Sequence, residues 1–237
     1  MYKRQEYALP GLAKLSETRL RNSTECLVGF TGGPGNLVLE RDIPQRGTCV
    51  VAVNRNTLDE ISQQFCRPSI PAGEASVSNS GRFTAIVSVE GTAGKNMFRL
   101  LLRDGDRAQV RDVGEVHGVM PFQFGGDDCL YYSKGNKLLR ACNLGRDGDV
   151  HPTVAVTAKG TITAFAIDTR SHLVATIEDY RDLCVYADGK LVSKMLVLKR
   201  VYKLIAMAPD GRTIALASSG DVTLWNWKSY DYVFTPK

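Results

Sequence analysis

The stretch Ala206–Asn226, with the sequence AMAPDGRTIALASSGDVTLWN, decides the fold. Its residues Pro209–Gly211 form a tight-turn sequence, because proline presets one backbone dihedral angle and glycine tolerates a positive φ. From Ile214 to Leu224 apolar side chains recur at every second position, apart from the turn, as half-buried strands require. The stretch therefore predicts three antiparallel strands joined by short turns. Such a unit cannot bury both faces alone, so similar units are expected beside it.

Similar groups of strands recur upstream, about 40 residues apart, which is the length of a four-stranded propeller blade. The dipeptide Asp188–Gly189, for example, lies between the apolar runs Leu183–Tyr186 and Leu191–Leu196, and this arrangement is a strong hairpin pattern. We therefore predict an all-β protein, a β-propeller of about five four-stranded blades. The predicted blades cover roughly residues 6–73, 74–116, 117–158, 159–199 and 200–237.

The last unit resembles a WD40 repeat, so we expect the propeller to be WD40-like. In these repeats a Trp, a Ser or Thr, an Asp and a His form a hydrogen-bonded network within one blade. Ser218, Asp221 and Trp225 match three of the four members, whereas the Gly-His dipeptide of the repeat is missing. The resemblance implies structural roles for these three residues and for the turn residues Asp210 and Gly211.

Both ends of the chain are abrupt. Residues 1–5 resemble a translated sequencing adapter and are predicted to be a non-native start, and the last residues follow a predicted fourth strand. We therefore expect residues 6–237 to form an incomplete ring that belongs to a longer propeller.

The first unit contains a long predicted connection. Between the predicted strands Cys26–Phe30 and Thr48–Val53 lies the stretch Gly32–Gly47, where other units make a short turn. Its glycines do not open a helix with an apolar stripe, and Pro34 lies among them, so a dinucleotide-binding loop is disfavoured. Because long loops on a rigid scaffold often carry function, we predict that this insertion makes the specific contacts of the protein.

The layout of this first unit resembles the endoplasmic-reticulum exchange factors that activate the Sar-type GTPase of COPII vesicle budding. In that family a glycine-rich loop, followed by a Gly-Ile-x-Asn element, binds potassium and takes part in nucleotide exchange. Here Asp42 stands at the place of the element's glycine, and Gln45 at that of its asparagine. The matching residues of this chain are Gly32, Gly33, Gly35, Ile43, Pro44 and Gln45.

The resemblance implies that these six residues contact a small GTPase and that the Gly32–Gly33 loop can hold potassium as the one cofactor. It also implies a cytoplasmic location on the cytosolic face of the endoplasmic reticulum. Attachment to the membrane would come from a segment outside this chain. Two alternatives stay open: a generic WD40 scaffold subunit of a multiprotein complex, and a propeller hydrolase.

The composition gives no sign of an active site. The net charge of +5 is mild, and no apolar run reaches the roughly 18 residues of a membrane span. The three histidines lack metal-ligand spacing, no Gly-x-Ser-x-Gly sequence occurs, and few aromatic residues accompany the basic clusters. We therefore predict no catalytic residue, no metal-ligating cluster and no nucleic acid partner. The protein is expected to act through contacts with other proteins.

The six cysteines are scattered through strand-like contexts and include no Cys-x-x-Cys pair. Two interpretations are open, buried free thiols in a reducing compartment or disulfides in an oxidising one. The scatter favours free thiols.

Overall fold

The structure is a computed structural model that describes most of the chain. The described residues are 3–8, 13–19, 26–30, 36–54, 57, 59–67, 75–90, 97–107, 109–116, 121–145, 150–196, 201–202, 204–208, 211–218, 221–229 and 231–234. Side chains are described for only part of these, and those of both strands of the first hairpin are not among them. Within these ranges there is no helix, and hence none long and apolar enough to cross a membrane.

The described strands form a two-stranded hairpin and five four-stranded antiparallel sheets. The hairpin consists of β1 (Lys3–Ala8) and β2 (Ala13–Arg19). Blade 1 consists of β3 (Cys26–Phe30), β4 (Asn36–Ile43), β5 (Gly47–Asn54) and β6 (Glu60–Arg67). Blade 2 consists of β7 (Ala75–Val77), β8 (Phe83–Glu90), β9 (Met97–Asp104) and β10 (Gln109–Val116). Blade 3 consists of β11 (Phe122–Phe124), β12 (Leu130–Lys134), β13 (Lys137–Ala141) and β14 (Thr153–Thr157).

Blade 4 consists of β15 (Ile162–Asp168), β16 (Leu173–Glu178), β17 (Asp182–Ala187) and β18 (Lys190–Leu196). Blade 5 consists of β19 (Leu204–Met207), β20 (Thr213–Ser218), β21 (Asp221–Asn226) and β22 (Asp231–Phe234). Within each sheet the strands follow one another in chain order, which is the meander of a propeller blade. The predicted all-β propeller fold is therefore confirmed.

The chain divides into two compact units, Met1–Glu115 and Val116–Lys237. In the first unit, successive residues of β4 pack into different clusters. Leu37 and Leu39 belong to a cluster within blade 1, whereas Val38 packs with Ile86 of blade 2. Because both faces of this sheet are buried, its strands read as continuous apolar runs rather than as alternating ones.

The second unit contains blades 3, 4 and 5 and is built around two clusters. One lies between blades 3 and 4 and includes Leu138 and Phe165. The other lies between blades 4 and 5 and includes Ile177, Leu216 and Trp227. All six residues of β16 are buried, since neighbouring blades cover both of its faces.

The prediction of a long insertion at Gly32–Gly47 is wrong. Residues Asn36–Ile43 form strand β4, which pairs along its whole length with β5. A tight turn joins these strands, and in it the Arg46 N–H donates to the Ile43 carbonyl at 3.0 Å while Gln45 has a φ of 66°. The strand was missed because Leu37–Leu39 is buried on both faces and lacks the two-residue alternation of a half-buried strand.

The prediction of free cysteines is wrong for four of them. Disulfides join Cys49 to Cys66 and Cys129 to Cys142. The first pair bridges residues that lie opposite each other on β5 and β6, and the second extends the pairing of β12 with β13. Antiparallel register therefore creates both pairs. Among the described side chains, the free cysteine is the buried Cys184, whose thiol pKa is raised by burial to about 12.

In blade 5, Ser218 and Asp221 face each other in the register of β20 and β21. Trp225 is half-buried and packs against the cluster between blades 4 and 5. The indole that holds the Gly211 turn, however, is that of Trp227, which donates from Nε1 to the Gly211 carbonyl at 2.9 Å. Asp210 lies outside the described residues, as does the side chain of Asp221.

Candidate functional site

The second unit carries candidate sites at both of its ends. At one end, a cleft of about 480 Å³ lies between blades 3 and 4. It is lined by the turns that join first to second strands and third to fourth strands. Among its lining residues are Asp127, Arg140, Val154, Asp168 and His172.

Three charged groups of the cleft, Asp127, Arg140 and Asp168, are satisfied internally. Arg140 donates to Asp127 at 2.7 Å and lies over the ring of Tyr131, and its hydrogen bond to Asp127 raises the pKa of Arg140. Asp168 accepts hydrogen bonds from the Ser171 hydroxyl and from the Arg170 N–H. A ligand would therefore have to displace existing hydrogen bonds in order to use these groups.

One potential metal-ligand group borders this cleft. The ligand atoms of Asp127, Cys129 and Cys142 lie within 4.8 Å of one another. The two sulfur atoms are bonded to each other as a disulfide, and Arg140 binds the carboxylate. Because a metal requires thiolates and a free carboxylate, these residues do not form a metal site in this state.

At the other end of the unit, a buried carboxylate joins blade 4 to the loop before it. Glu178, at the end of β16, is 2% exposed. Its Oε1 accepts hydrogen bonds from the Tyr186 hydroxyl at 2.6 Å and from the Thr176 hydroxyl at 3.0 Å. Its Oε2 accepts from the N–H groups of Lys159 and Gly160, at 3.2 and 3.1 Å. One side chain thus fixes the Lys159–Thr161 loop to the sheet.

Hydrogen bonding keeps Glu178 ionised despite its burial. Burial alone would raise the pKa of the carboxyl, but the donors Tyr186, Gly160, Cys184 and Thr176 together outweigh it and lower the pKa. Burial and the Glu178 charge act in the same direction on the pKa of Tyr186, which is raised, so Tyr186 stays a proton donor. The group is therefore a fixed negative charge surrounded by donors.

The turn Glu178–Arg181, which we call the Tyr180 turn, has an unusual backbone. Asp179 and Tyr180 have φ values of 49° and 58°, and the Arg181 N–H donates to the Glu178 carbonyl at 2.9 Å. Two successive positive φ values are typical of type I′ turns, which normally use Asn and Gly. A bulky residue in this region is an outlier that costs roughly 1–2 kcal/mol. Tyr180 adopts it while its side chain stays 56% exposed.

The Lys159–Thr161 loop holds this Tyr180 turn in place. The Asp179 N–H donates to the Thr161 carbonyl at 2.9 Å, and the Thr161 N–H donates back to Asp179 Oδ1 at 2.9 Å. Gly160 is needed for this approach, because a Cβ at its position would lie 2.2 Å from Asp179 Oδ2. The backbone strain at Tyr180 is thus supported by a hydrogen-bonded clamp.

Replacing Gly160 by alanine tests this clamp. We expect Gly160→Ala to lower the free energy of unfolding by about 1–2 kcal/mol, since the new methyl group displaces the Asp179 carboxylate from the Thr161 N–H. In the background of Asp179→Gly, which removes the carboxylate, the same change should cost much less. Urea unfolding of the four proteins in this cycle gives the coupling energy. An equal cost of Gly160→Ala in both backgrounds would contradict the clamp.

The structure brings together only some of the residues predicted as a site. Gly32, Gly33 and Gly35 lie outside the described residues. Ile43 is half-buried against the blade 1 cluster, while Pro44 and Gln45 are exposed at the tip of the turn between β4 and β5.

The residues of the Tyr180 turn were not predicted as a site. The available indication was a short hairpin connection, Asp179–Arg181, that contains neither Gly nor Asn.

Comparison with known proteins supports the fold alone. No protein-family model matches the chain, and no curated protein matches it. A chain in the crystal structure of the nidogen/laminin complex is similar with a TM-score of 0.70 and 10% identity, over 98% of this chain and 88% of that one. TolB from Acinetobacter baumannii is similar with a TM-score of 0.64 and 9% identity, over 88% of this chain and 53% of TolB. Both are β-propellers. At these identities the similarity establishes the propeller fold, and the WD40 type stays a prediction.

Proposed function

We propose that this chain is a protein-binding propeller that acts through surface contacts centred on the Tyr180 turn and has no catalytic activity of its own. A propeller fold suits a protein-interaction role. The observation that carries the proposal is the exposed Tyr180 at a φ of 58°, because this side chain adds strain and gains little packing within the blade. Strained backbone of this kind concentrates at ligand-contacting positions.

The surroundings of Tyr180 suit a binding hot spot. Tyrosine is enriched at such positions because its large amphipathic ring loses little conformational entropy on binding. The turn is already fixed by Glu178, Asp179 and the Lys159–Thr161 loop, so little further ordering is needed when a partner binds. A rigid turn that presents an exposed aromatic ring fits a partner with a complementary apolar pocket.

Guanine-nucleotide exchange on a Sar-type small GTPase is a finer form of this proposal, and its support is the sequence resemblance alone. The Ile43–Gln45 part of the resemblance forms a tight turn, and the glycine part lies outside the described residues. The two disulfides favour an oxidising compartment, which counts against the cytoplasmic location that exchange would need. A role as a scaffold subunit in an oxidising compartment agrees better with these observations.

Selection of short peptides from a random displayed library, with the full chain as bait, tests the proposal. We expect Tyr180→Asn to lower the affinity for the selected peptides by about tenfold or more, because the variant lacks the aromatic ring of the hot spot. Asn tolerates a positive φ, so the thermal midpoint should stay equal or rise. Val154→Asn is the matched control, because Val154 is 52% exposed but lines the cleft at the other end of the unit. Peptides whose binding is unchanged by Tyr180→Asn would refute the proposal, and a response to Val154→Asn would place the contact at the cleft instead.

A further inference from the structure

Four exposed cations lie on three connected loops at the Tyr180 end of blades 3 and 4. Lys134 and Lys137 flank the turn between β12 and β13, Lys159 lies on the Lys159–Thr161 loop, and Arg181 follows Tyr180. Among the described residues none of the four side chains has an ion-pair partner. We call these residues the basic rim: Lys134, Lys137, Lys159 and Arg181.

Backbone hydrogen bonds hold the loops of the basic rim together. The Ala158 N–H donates to the Asn136 carbonyl at 2.8 Å, and the Ile162 N–H donates to the Gly135 carbonyl at 3.0 Å. Asn136 Nδ2 donates to the Ala158 carbonyl at 3.1 Å. The Lys159–Thr161 loop is bonded in turn to Glu178 and Asp179. One hydrogen-bonded framework therefore carries all four cations at the same end. Lys159 and Arg181 lie beside Tyr180 along this framework, whereas Lys134 and Lys137 lie on the face of blade 3 opposite to blade 4.

Among the described side chains, three carboxylates lie at this end of blade 4, fewer than the cations. Glu178 is buried among its donors, and Asp179 accepts from the Thr161 N–H. Asp182 pairs with Lys194 at 2.6 Å. Asp179 is exposed and keeps its charge, so, with Lys194 included, five cations stand against three carboxylates among these described side chains and the balance is positive.

We infer that the partner segment bound at this end is acidic, with carboxylates that meet the basic rim on either side of an apolar pocket that accepts Tyr180. This inference rests on the proposed function and adds the chemistry of the partner. Arg181 can bind a carboxylate in bidentate fashion, and the lysines act as point charges that steer an acidic surface during encounter.

The neighbouring blade 5 offers apolar surface at the same end. The start of β19 exposes Leu204, and the start of β21 exposes Val222. These residues share a row of the sheet, since each lies opposite Ala217 of β20. The alternating residues Ile205 and Leu216 face blade 4, so the Leu204 row lies on the opposite face of blade 5 and is not part of the surface around Tyr180.

Four cations and one aromatic ring fit a protein segment better than a nucleic acid. Proteins that bind duplex DNA with useful affinity typically contact roughly 6–10 phosphates, and single-strand binders stack successive bases on several aromatic rings. A competition arm with single-stranded DNA tests this choice directly.

The experiment uses the full chain and those selected peptides whose binding depends on Tyr180. Each peptide is compared with a version in which its Asp and Glu residues are replaced by Asn and Gln. We expect the acidic peptides to lose about tenfold in affinity when their carboxylates are removed. The unchanged peptides should bind the variant Lys159→Glu/Arg181→Glu about tenfold more weakly than they bind the wild type. Their affinity should also fall as salt increases. The control is Arg170→Glu/Lys190→Glu, which makes the same charge change at exposed positions on the other end of blade 4.

The outcomes separate this inference from the proposed function. Peptides that depend on Tyr180 but are indifferent to both their own carboxylates and the rim variant would overturn the inference and leave the function standing. Peptides that do not depend on Tyr180 would overturn both. Single-stranded DNA that binds the basic rim more tightly than the peptides would overturn the acidic partner in favour of a nucleic acid.

Discussion

Replacing Glu178 by glutamine is expected to lower the free energy of unfolding by about 3 kcal/mol at neutral pH. Glutamine has nearly the same shape, but its amide has one oxygen and one NH₂ group. If NH₂ faces the N–H groups of Lys159 and Gly160, donor opposes donor. If it faces the hydroxyls of Tyr186 and Thr176, these can accept from it but no longer donate to a carboxylate. Buried donors then lose a charged acceptor, which is among the costly losses in a protein interior. Urea unfolding measures the difference.

The same substitution should change the pH dependence of stability. Because the pKa of Glu178 in the folded protein lies below its ordinary value of 4.5, the carboxylate contributes fully above the unfolded pKa. That contribution is lost as the pH falls below about 4.5 and through the folded pKa. Glu178→Gln removes the titrating group. As the pH falls below about 4.5, the free energy of unfolding of the variant should therefore decrease less than that of the wild type.

A matched control separates this effect from a general loss of negative charge. Glu60 is exposed and lies 3.8 Å from Arg41 in an ion pair, and Glu60→Gln makes the same chemical change, for which we expect a loss of at most about 1 kcal/mol. Asp104, whose pKa is lowered mainly by its hydrogen bond with Arg82, keeps titrating in all three proteins and contributes to the remaining acid dependence. If the stability of Glu178→Gln fell with pH as steeply as that of the wild type, the hydrogen bonds to Glu178 would not lower the pKa of its carboxyl in the folded protein.

The sequence predicted the structure correctly in segments where the turn residues and the two-residue alternation of the flanking strands lie close together in the chain. Asp188 and Gly189 have φ values of 48° and 75° and connect β17 to β18, as Asp-Gly between alternating runs predicts. The stretch Ala206–Asn226 likewise contains the end of β19 and the whole of β20 and β21, which are the three strands that its pattern predicts. In these segments the hydrophobic pattern and the turn chemistry indicate the same structure.

The misses depend on contacts between distant residues. Strand β4 is buried on both faces, so its sequence has no alternation to separate it from an apolar loop. Glu178 lies 18 residues from Gly160, and no local pattern shows that the carboxylate will meet that N–H group. The candidate site was missed for the same reason, because the Tyr180 turn is stabilised by the Lys159–Thr161 loop from the preceding crossover.

The cysteine pairing shows the same dependence on register and leads to the second large prediction. The paired cysteines are separated by 17 and 13 residues and become neighbours only when β5 pairs with β6 and β12 with β13. A disulfide that closes a loop of about 15 residues lowers the conformational entropy of the unfolded chain and thereby stabilises the folded protein by roughly 3 kcal/mol. We therefore expect Cys49→Ser/Cys66→Ser, and separately Cys129→Ser/Cys142→Ser, each to lower the free energy of unfolding by about this amount in urea.

Reductant supplies the matched control for both disulfides. A reducing agent should destabilise the wild type by about the sum of the two losses, roughly 6 kcal/mol if they are additive, and should leave a variant lacking all four cysteines unchanged. Cys184 is buried and holds its proton, so it should not react with a thiol reagent in the folded protein. Alkylation of the folded, unreduced protein at Cys49, Cys66, Cys129 or Cys142 would show that these residues are thiols. The cytoplasmic location would then regain its support, because the disulfides are the observation that favours an oxidising compartment.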